Sequence, residues 1–289
     1  NGPQYDIVRA DAERHHLRMR GWMQRALAVQ LFADAGLDFE AAKRAAQQPG
    51  FKAHAIEGAS LSIAFDVQHA QIVSRNVAGL LRGGDQADET VIVSGHWDHF
   101  GLTPNADASG DNIINGAVDN ATALASMIEL ARVFGAGERP ARSLLFLALT
   151  AEENGLLGAQ YYAAHPLRPL VTTAAVINME MWSPDGPTRD ISSWGLGKVS
   201  LERSLDAAAA VDDRVRSPDS NLEAGMFYRA DHFAFARAGV PALTLGPGTD
   251  MLEGGVEAGK AARAKYFAER YHQPADQYDD SWDMRGPTQ

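Results

Sequence analysis

Cysteine is absent from this 289-residue chain. That absence excludes disulfides, thiolate metal ligands and a cysteine nucleophile together, so any metal has to be held by histidines and carboxylates. No run of about 18 apolar residues occurs, and no segment reads as a bilayer span. A basic patch is also missing. Lys and Arg are scattered, and the formal net charge is -11, a balance that repels nucleic acid and anionic membrane surfaces. The densest basic cluster, Arg14 to Arg20 with His15 and His16, lies in a segment of amphipathic helical pattern and reads as a solvated helix face. There is no internal repeat and no low-complexity block. The sequence opens on Asn1 without a Met or a signal-like apolar stretch, which points to an upstream piece, and any address it carried, lying outside it.

What is present suffices for one large α/β domain: 45% of the residues are apolar, and the length fits one core better than two small ones. Residues 9 to 48 read as two helices. The first runs through Trp22, Leu27, Val29 and Phe32 to a stop near Gly36, and the second starts near Asp38. From Leu61 the texture turns to strands: LSIAFDV, SRNVAGLLRG and TVIVSG, with GGDQAD between the last two as a hairpin connection. Helical spacing marks 119 to 134, and SLLFLALT (143 to 150) is apolar enough to be a buried internal strand. Helix 155 to 164, strand 174 to 180, helices 199 to 210 and 231 to 238, and strand 241 to 246 follow. This alternation implies a mixed, mostly parallel sheet between layers of helices, a three-layer sandwich. Stretches 103 to 117 and 246 to 270, rich in Gly, Asp and Asn, read as long loops.

In such sheets ligands bind beyond the carboxyl ends of the strands. The residues there are acidic or imidazole: His96 and Asp98 after VIVSG, Glu152 and Glu153 after LLFLALT, and Glu180 at the end of AAVINME, with Asp119 where a helix begins. Each has an ordinary structural reading. His96 alone could be a hydrogen-bonded core histidine, Asp119 a helix N-cap, and Glu152 and Glu153 first-turn acids favoured by a helix dipole. Glu180 is harder to explain in that way, because a charge closing an apolar strand is seldom buried without a partner. Together these carboxylates would repel one another in a cleft, and a multivalent cation is the simple remedy. A second histidine would balance the site. His272, in YHQPADQYDD, is the candidate, while His54, His69 and His165 read as surface or packing residues. His99 is expected to point elsewhere from a turn, and His232 is expected beside the pocket.

In chain order the motifs GHWDHFG, AVDNATA, TAEENGLLGA, INMEMW, YRADHFAFARAGVPAL and YHQPAD resemble the M28 family of metallopeptidases. The similarity covers about 61 to 283, so residues 61 to 289 are expected to form the catalytic domain, with the zinc-dependent exopeptidase fold. Residues 1 to 60 are expected to be a helical segment packing on it, like the stretch that follows a protease-associated insert in some members. No such insert is recognisable, and the usual C-terminal helix after YHQPAD is not seen. The resemblance implies that His96 and Glu180 hold one zinc ion and Glu153 and His272 another, with Asp119 shared. It makes Glu152 the general base, Asp98 the acid that orients the His96 imidazole, and the peptide after Asp119 cis. At Glu180 most members carry Asp.

The function so implied is a di-zinc exopeptidase that attacks with a water shared between the ions. Cobalt or manganese would also suit the ligands. A negative pocket attracts a free α-amino group, so peptides with a free N-terminus are the expected substrates. Tyr228 and Tyr271 are candidates for steadying the tetrahedral intermediate, or for an aromatic wall. Other readings within reach of the motifs are a carboxypeptidase or dipeptidase of the same family, a single-zinc glutaminyl cyclase, and a non-catalytic binding ectodomain. Family members are often exported, which with zero cysteines points to a periplasmic or secreted protein.

Overall fold

The computed structural model describes residues 4–9, 21–194, 197–218 and 224–288. The basic cluster Arg14 to Arg20, with the helix expected there, lies outside the described residues. The chain divides into two compact units, one of Val8–Ile72 and one of Asn1–Ile7 with Val73–Gln289.

The smaller unit holds helices α1 (Arg25–Asp34) and α2 (Phe39–Ala46), neither with a buried residue. Asp38 caps α2, its carboxylate accepting the Ala41 N–H at 2.9 Å, and Phe32 meets Phe39 edge to face with ring centroids 5.3 Å apart. The segment LSIAFDV forms no strand, contrary to the expectation from its alternation. Leu61, Ile63, Phe65 and Val67 are all exposed. An alternating pattern makes a strand only where a neighbouring strand supplies hydrogen bonds and a face to bury, and the described residues of the smaller unit form helices and no strand.

The larger unit is built on a seven-stranded sheet. Its strands are β1 (Val77–Leu81), β2 (Gln86–His96), β5 (Arg142–Leu149), β6 (Thr173–Met179), β7 (Asp190–Trp194), β8 (Val215–Pro218) and β9 (Ala242–Pro247), in the spatial order β1-β5-β2-β6-β9-β7-β8. The four inner strands β5, β2, β6 and β9 run parallel, whereas β1 lies antiparallel to β5 and β7 antiparallel to β9. The expected β1–β2 hairpin is therefore not formed: β5 inserts between them, and GGDQAD only turns the chain. A separate two-stranded ribbon, β3 (Gly101–Leu102) with β4 (Ile113–Ile114), folds back the loop that follows β2.

Period-two alternation in β5 divides the core. Leu145, Leu147 and Leu149 pack with Ile92, Val176, Tyr162 and Phe235, the last two from helices α4 (Leu157–Ala164) and α6 (His232–Arg237). Leu144 and Phe146 pack on the other face with Val93, Met179, Ala123 and Met127, the last two from helix α3 (Thr122–Ala136). A strand buried on both faces has to be apolar at every position, which is what SLLFLAL supplies. Helix α5 (Glu202–Val211) lies against β8. The region read as a loop from 246 to 270 contains helix α7 (Gly255–Glu269), a 15-residue helix. All four parallel strands end at one edge of the sheet, and the acidic residues gather there.

Candidate metal centre

His96 is the last residue of β2 and is almost wholly buried. Its Nε2 lies 3.2 Å from Asp119 Oδ1 and 3.5 Å from Glu180 Oε2. Glu180 directly follows β6, and the Asn178 amide donates to its Oε1 at 3.1 Å. Asp119 sits in the tight turn 117–121 that precedes α3, and the Asp119–Asn120 peptide is cis, as the resemblance implied. The Asn120 amide ties this turn to the end of β6, donating to the Met179 carbonyl at 3.0 Å and accepting the Met181 N–H at 3.1 Å. Three chain segments distant in sequence thus converge on one imidazole.

The other oxygen of Asp119 faces a second group. His272 Nε2 stands 3.4 Å from Asp119 Oδ2 and 3.3 Å from Glu153 Oε2. His99 joins them, with Nδ1 in contact with Glu153 Oε1, so the expectation that it points away from the site is corrected. The signal for His99 was its place three residues after His96, a spacing that turn geometry can aim either way. Gly116 makes room for this arrangement. Its φ is +65°, and a Cβ there would come within 2.3 Å of the Asp119 carbonyl and 2.8 Å of the His99 ring.

Two of the ordinary structural readings fail on geometry. α3 begins at Thr122 with no side-chain cap, so Asp119 is not its N-cap. α4 begins at Leu157, which puts Glu152 and Glu153 before its first turn. The contact of Asp98 with His96 also takes another form than expected. The His96 Nδ1 bonds to the Asp98 backbone carbonyl at 3.0 Å, while the Asp98 carboxylate is 3.9 Å from that nitrogen and instead accepts the Glu152 N–H at 3.1 Å. Asp98 therefore orients the imidazole through its main chain and holds the Glu152 backbone through its side chain. His232, expected at the pocket, is fully buried, does not line the cavity, and is bonded through Nδ1 to the Thr244 hydroxyl at 2.6 Å. His54, His69 and His165 are exposed.

Charge is concentrated and poorly compensated. Burial pushes the Glu152 carboxyl well above the usual range, and the negative charges of Glu180, Asp231 and Glu153 add to this. Burial likewise raises Glu180 and Asp231. Burial pulls the His96 imidazole down, but Glu180 and Asp119 outweigh it and hold its pKa well above the ordinary value. Asp119 is opposed by its own burial, yet the bonds from His272 and His96 keep it below the ordinary carboxylate range. Among the described residues, His99 Nε2 is buried without a hydrogen-bond partner, and Glu153 Oε1, His99 Nδ1 and His272 Nε2 are buried with only one another and Asp119 as neighbours of opposite charge. Among the described residues no lysine lines the cavity. Buried carboxylates and imidazoles with free lone pairs facing one another suit divalent cations, and the sets His96–Asp119–Glu180 and His99–Asp119–Glu153 each bring their ligand atoms within 4.8 Å of one another.

These groups floor a cavity of about 390 Å³ whose walls include Met181, Trp194, Met226, Tyr228, Arg229 and Tyr271. Tyr271 stacks on His272, with ring centroids 3.7 Å apart, and Tyr228 is exposed at the rim. A volume of this size is in the range of small-molecule sites.

Comparison with known proteins gives the family and the fold. The model of "Peptidase family M28" matches residues 76–286. A probable zinc metalloprotease of Pyrenophora teres f. teres is 39% identical over 105 residues, covering 36% of this chain and 22% of the relative. A probable glutamate carboxypeptidase of Arthroderma benhamiae is 30% identical over 207 residues, covering 67% of this chain and 26% of the relative. The chain thus spans about a quarter of the length of these curated relatives. The crystal structure of the Legionella pneumophila LapA aminopeptidase superposes with a TM-score of 0.54 at 18% identity, covering 74% of this chain and 50% of LapA, and shares the fold. The matched span contains every residue of the site from His96 to His272, and the chain belongs to peptidase family M28.

Proposed function

We propose that this chain is a di-zinc aminopeptidase that removes N-terminal residues from peptides. The observation that carries the reading is the division of Asp119 between two groups, Oδ1 toward His96 and Oδ2 toward His272. His96 and Glu180 would hold one ion and Glu153 and His272 the other, with Asp119 common to both and His99 next to the second. Mixed imidazole and carboxylate donors suit zinc, with cobalt or manganese as substitutes. Bound ions of this kind supply Lewis acidity that acidifies a water and polarises the scissile carbonyl.

The chain's own residues do the rest. Glu152, buried at the cavity floor, takes the proton of the attacking water and returns it to the leaving amine. Tyr271, fixed against His272, donates its hydroxyl to the developing oxyanion. Tyr228, exposed at the rim, serves as wall. The excess of carboxylates draws in a protonated α-amino group, and Met181, Trp194 and Met226 offer apolar surface to the first side chain. The likeness to a probable glutamate carboxypeptidase favours a second reading, in which the free carboxyl end is the one removed.

A substrate panel separates the two. Aminoacyl p-nitroanilides, their N-acetylated counterparts and N-blocked peptides with a free carboxyl end are assayed with and without chelator. Cleavage of the free-amine substrates alone, abolished by chelator, is expected. Equal cleavage of the blocked substrates sinks the aminopeptidase reading, and cleavage of the blocked peptides alone establishes the carboxypeptidase.

A further inference from the structure

Arg229 breaks the sign of the cavity. The floor carries Asp119, Glu152, Glu153 and Glu180 with the imidazoles of His96 and His272 among them, and Arg229 is the guanidinium among the described lining residues. It follows the short turn Met226–Tyr228, whose Met226 carbonyl accepts its backbone N–H at 3.0 Å. Its side chain is exposed. Arg25, Arg132, Arg142, Arg189, Arg216 and Arg285 all pair with a carboxylate, but the Arg229 guanidinium has no such partner among the described residues.

A cavity with an anionic floor and a cation at the wall matches a ligand of opposite polarity, with an amine at one end and a carboxylate at the other. We infer that Arg229 grips a carboxylate of the substrate, so that the preferred substrates are short peptides whose free C-terminus, or an acidic side chain, reaches it once the amino end lies on the floor. The volume of about 390 Å³ suits a ligand of a few residues, and an extended chain advances about 3.3–3.6 Å per residue, so a second or third residue spans such a site. A guanidinium presents a planar fork of donors that pairs with a carboxylate through two parallel bonds. This inference rests on the aminopeptidase reading for the direction of the peptide.

The test uses the Glu152→Gln variant, in which binding is read without turnover. Zinc-loaded protein is titrated calorimetrically with Ala-Leu, Ala-Leu amide and Ala-Glu amide. The free dipeptide is expected to bind about ten- to a hundredfold more tightly than its amide, the range of a charge-assisted bond. Recovery of that gain by Ala-Glu amide shows that a side-chain carboxylate serves as well, and its absence assigns the site to the C-terminus. Adding Arg229→Gln is expected to bring the ratio of dipeptide to amide close to one, while Arg229→Lys keeps a preference of a few-fold. A ratio that persists in Arg229→Gln, or that is near one in Glu152→Gln itself, overturns the assignment. Failure of the aminopeptidase reading looks different, because wild-type protein then leaves free-amine substrates intact whatever these ratios are.

Discussion

Asp276 receives the backbone N–H of Asp119 on its Oδ2 at 3.1 Å, across 157 residues of sequence. Its Oδ1 takes the N–H of Val118 at 3.0 Å, and the Tyr266 hydroxyl donates to Oδ2 at 3.2 Å. Asp276 is fully buried, so the turn that presents the central carboxylate of the site is held by a side chain from far along the chain. Truncation to Ala strands two backbone donors, at about 1–3 kcal/mol each. Asp276→Ala is therefore expected to lower unfolding free energy by a few kcal/mol and to weaken zinc about 10–100-fold, measured by urea denaturation and by competition with a chromogenic chelator. Zinc affinity within twofold of wild type would show that the turn keeps its shape without Asp276.

Glu152 can be separated from the ligands around it. Glu152→Gln keeps volume and a hydrogen-bonding carbonyl but cannot accept a proton, and general-base catalysis contributes about 10²–10⁴-fold. kcat is expected to fall by that range while metal content, by elemental analysis, stays at the wild-type value. Turnover that survives the substitution would remove Glu152 from the proton path.

The strand ends were legible in the sequence because a buried parallel strand is a continuous apolar run, and the first polar residue after it marks the sheet edge. His96, Glu180 and the pair Glu152 and Glu153 stand at or within four residues of such strand ends, while the separate roles of Glu152 and Glu153 come only from the family resemblance. β7 and β8 were not legible: β7 reads DISSW, and its Ser192 and Ser193 are buried as polar residues, which periodicity scores as loop. α7 was missed for a related reason, since only Gly259 of its 15 residues is buried and its alanines and charges show no apolar stripe. The GGDQAD turn looked like a hairpin because local sequence carries no sign that β5, from 50 residues later, inserts between its flanking strands. His99 and Asp276 depend on where loops bring side chains in space, and no spacing encodes that.

Metal stoichiometry follows from the shared carboxylate. The chain is expected to bind two zinc ions per molecule, and His272→Ala to hold one as before and the other more weakly, because His96, Asp119 and Glu180 remain as a set while the second group keeps only His99 of the two imidazoles that face Glu153. Ligands that bind only the folded state stabilise it by mass action, about 2.7 kcal/mol at a hundred times the dissociation constant. Chelation should therefore lower Tm in wild type by more than in His272→Ala, measured by scanning calorimetry beside a zinc count. A count of one in wild-type protein would contradict the division of Asp119 and leave a single-ion site.

Acid sensitivity should carry the signature of His232. Burial drives its pKa down to about 3, against an unfolded value of about 6.5. Between these values the unfolded chain binds a proton that the folded chain refuses, so the linkage slope is positive: stability rises with pH across this window and is lost as pH falls from about 6.5 toward 3. Below the folded pKa both states are protonated and the contribution is flat. One proton corresponds to about 1.4 kcal/mol per pH unit. Nearby carboxyls such as Asp231 titrate with the opposite sign, their pKa being raised by burial, so the contribution has to be read as a difference. Unfolding free energy measured in urea from pH 7 to pH 4.5 is expected to fall more steeply in wild type than in His232→Gln, by up to about that amount per pH unit. Parallel curves would mean that the imidazole takes up its proton in the folded state, with Nε2, which has no partner among the described residues, as the nitrogen that accepts it.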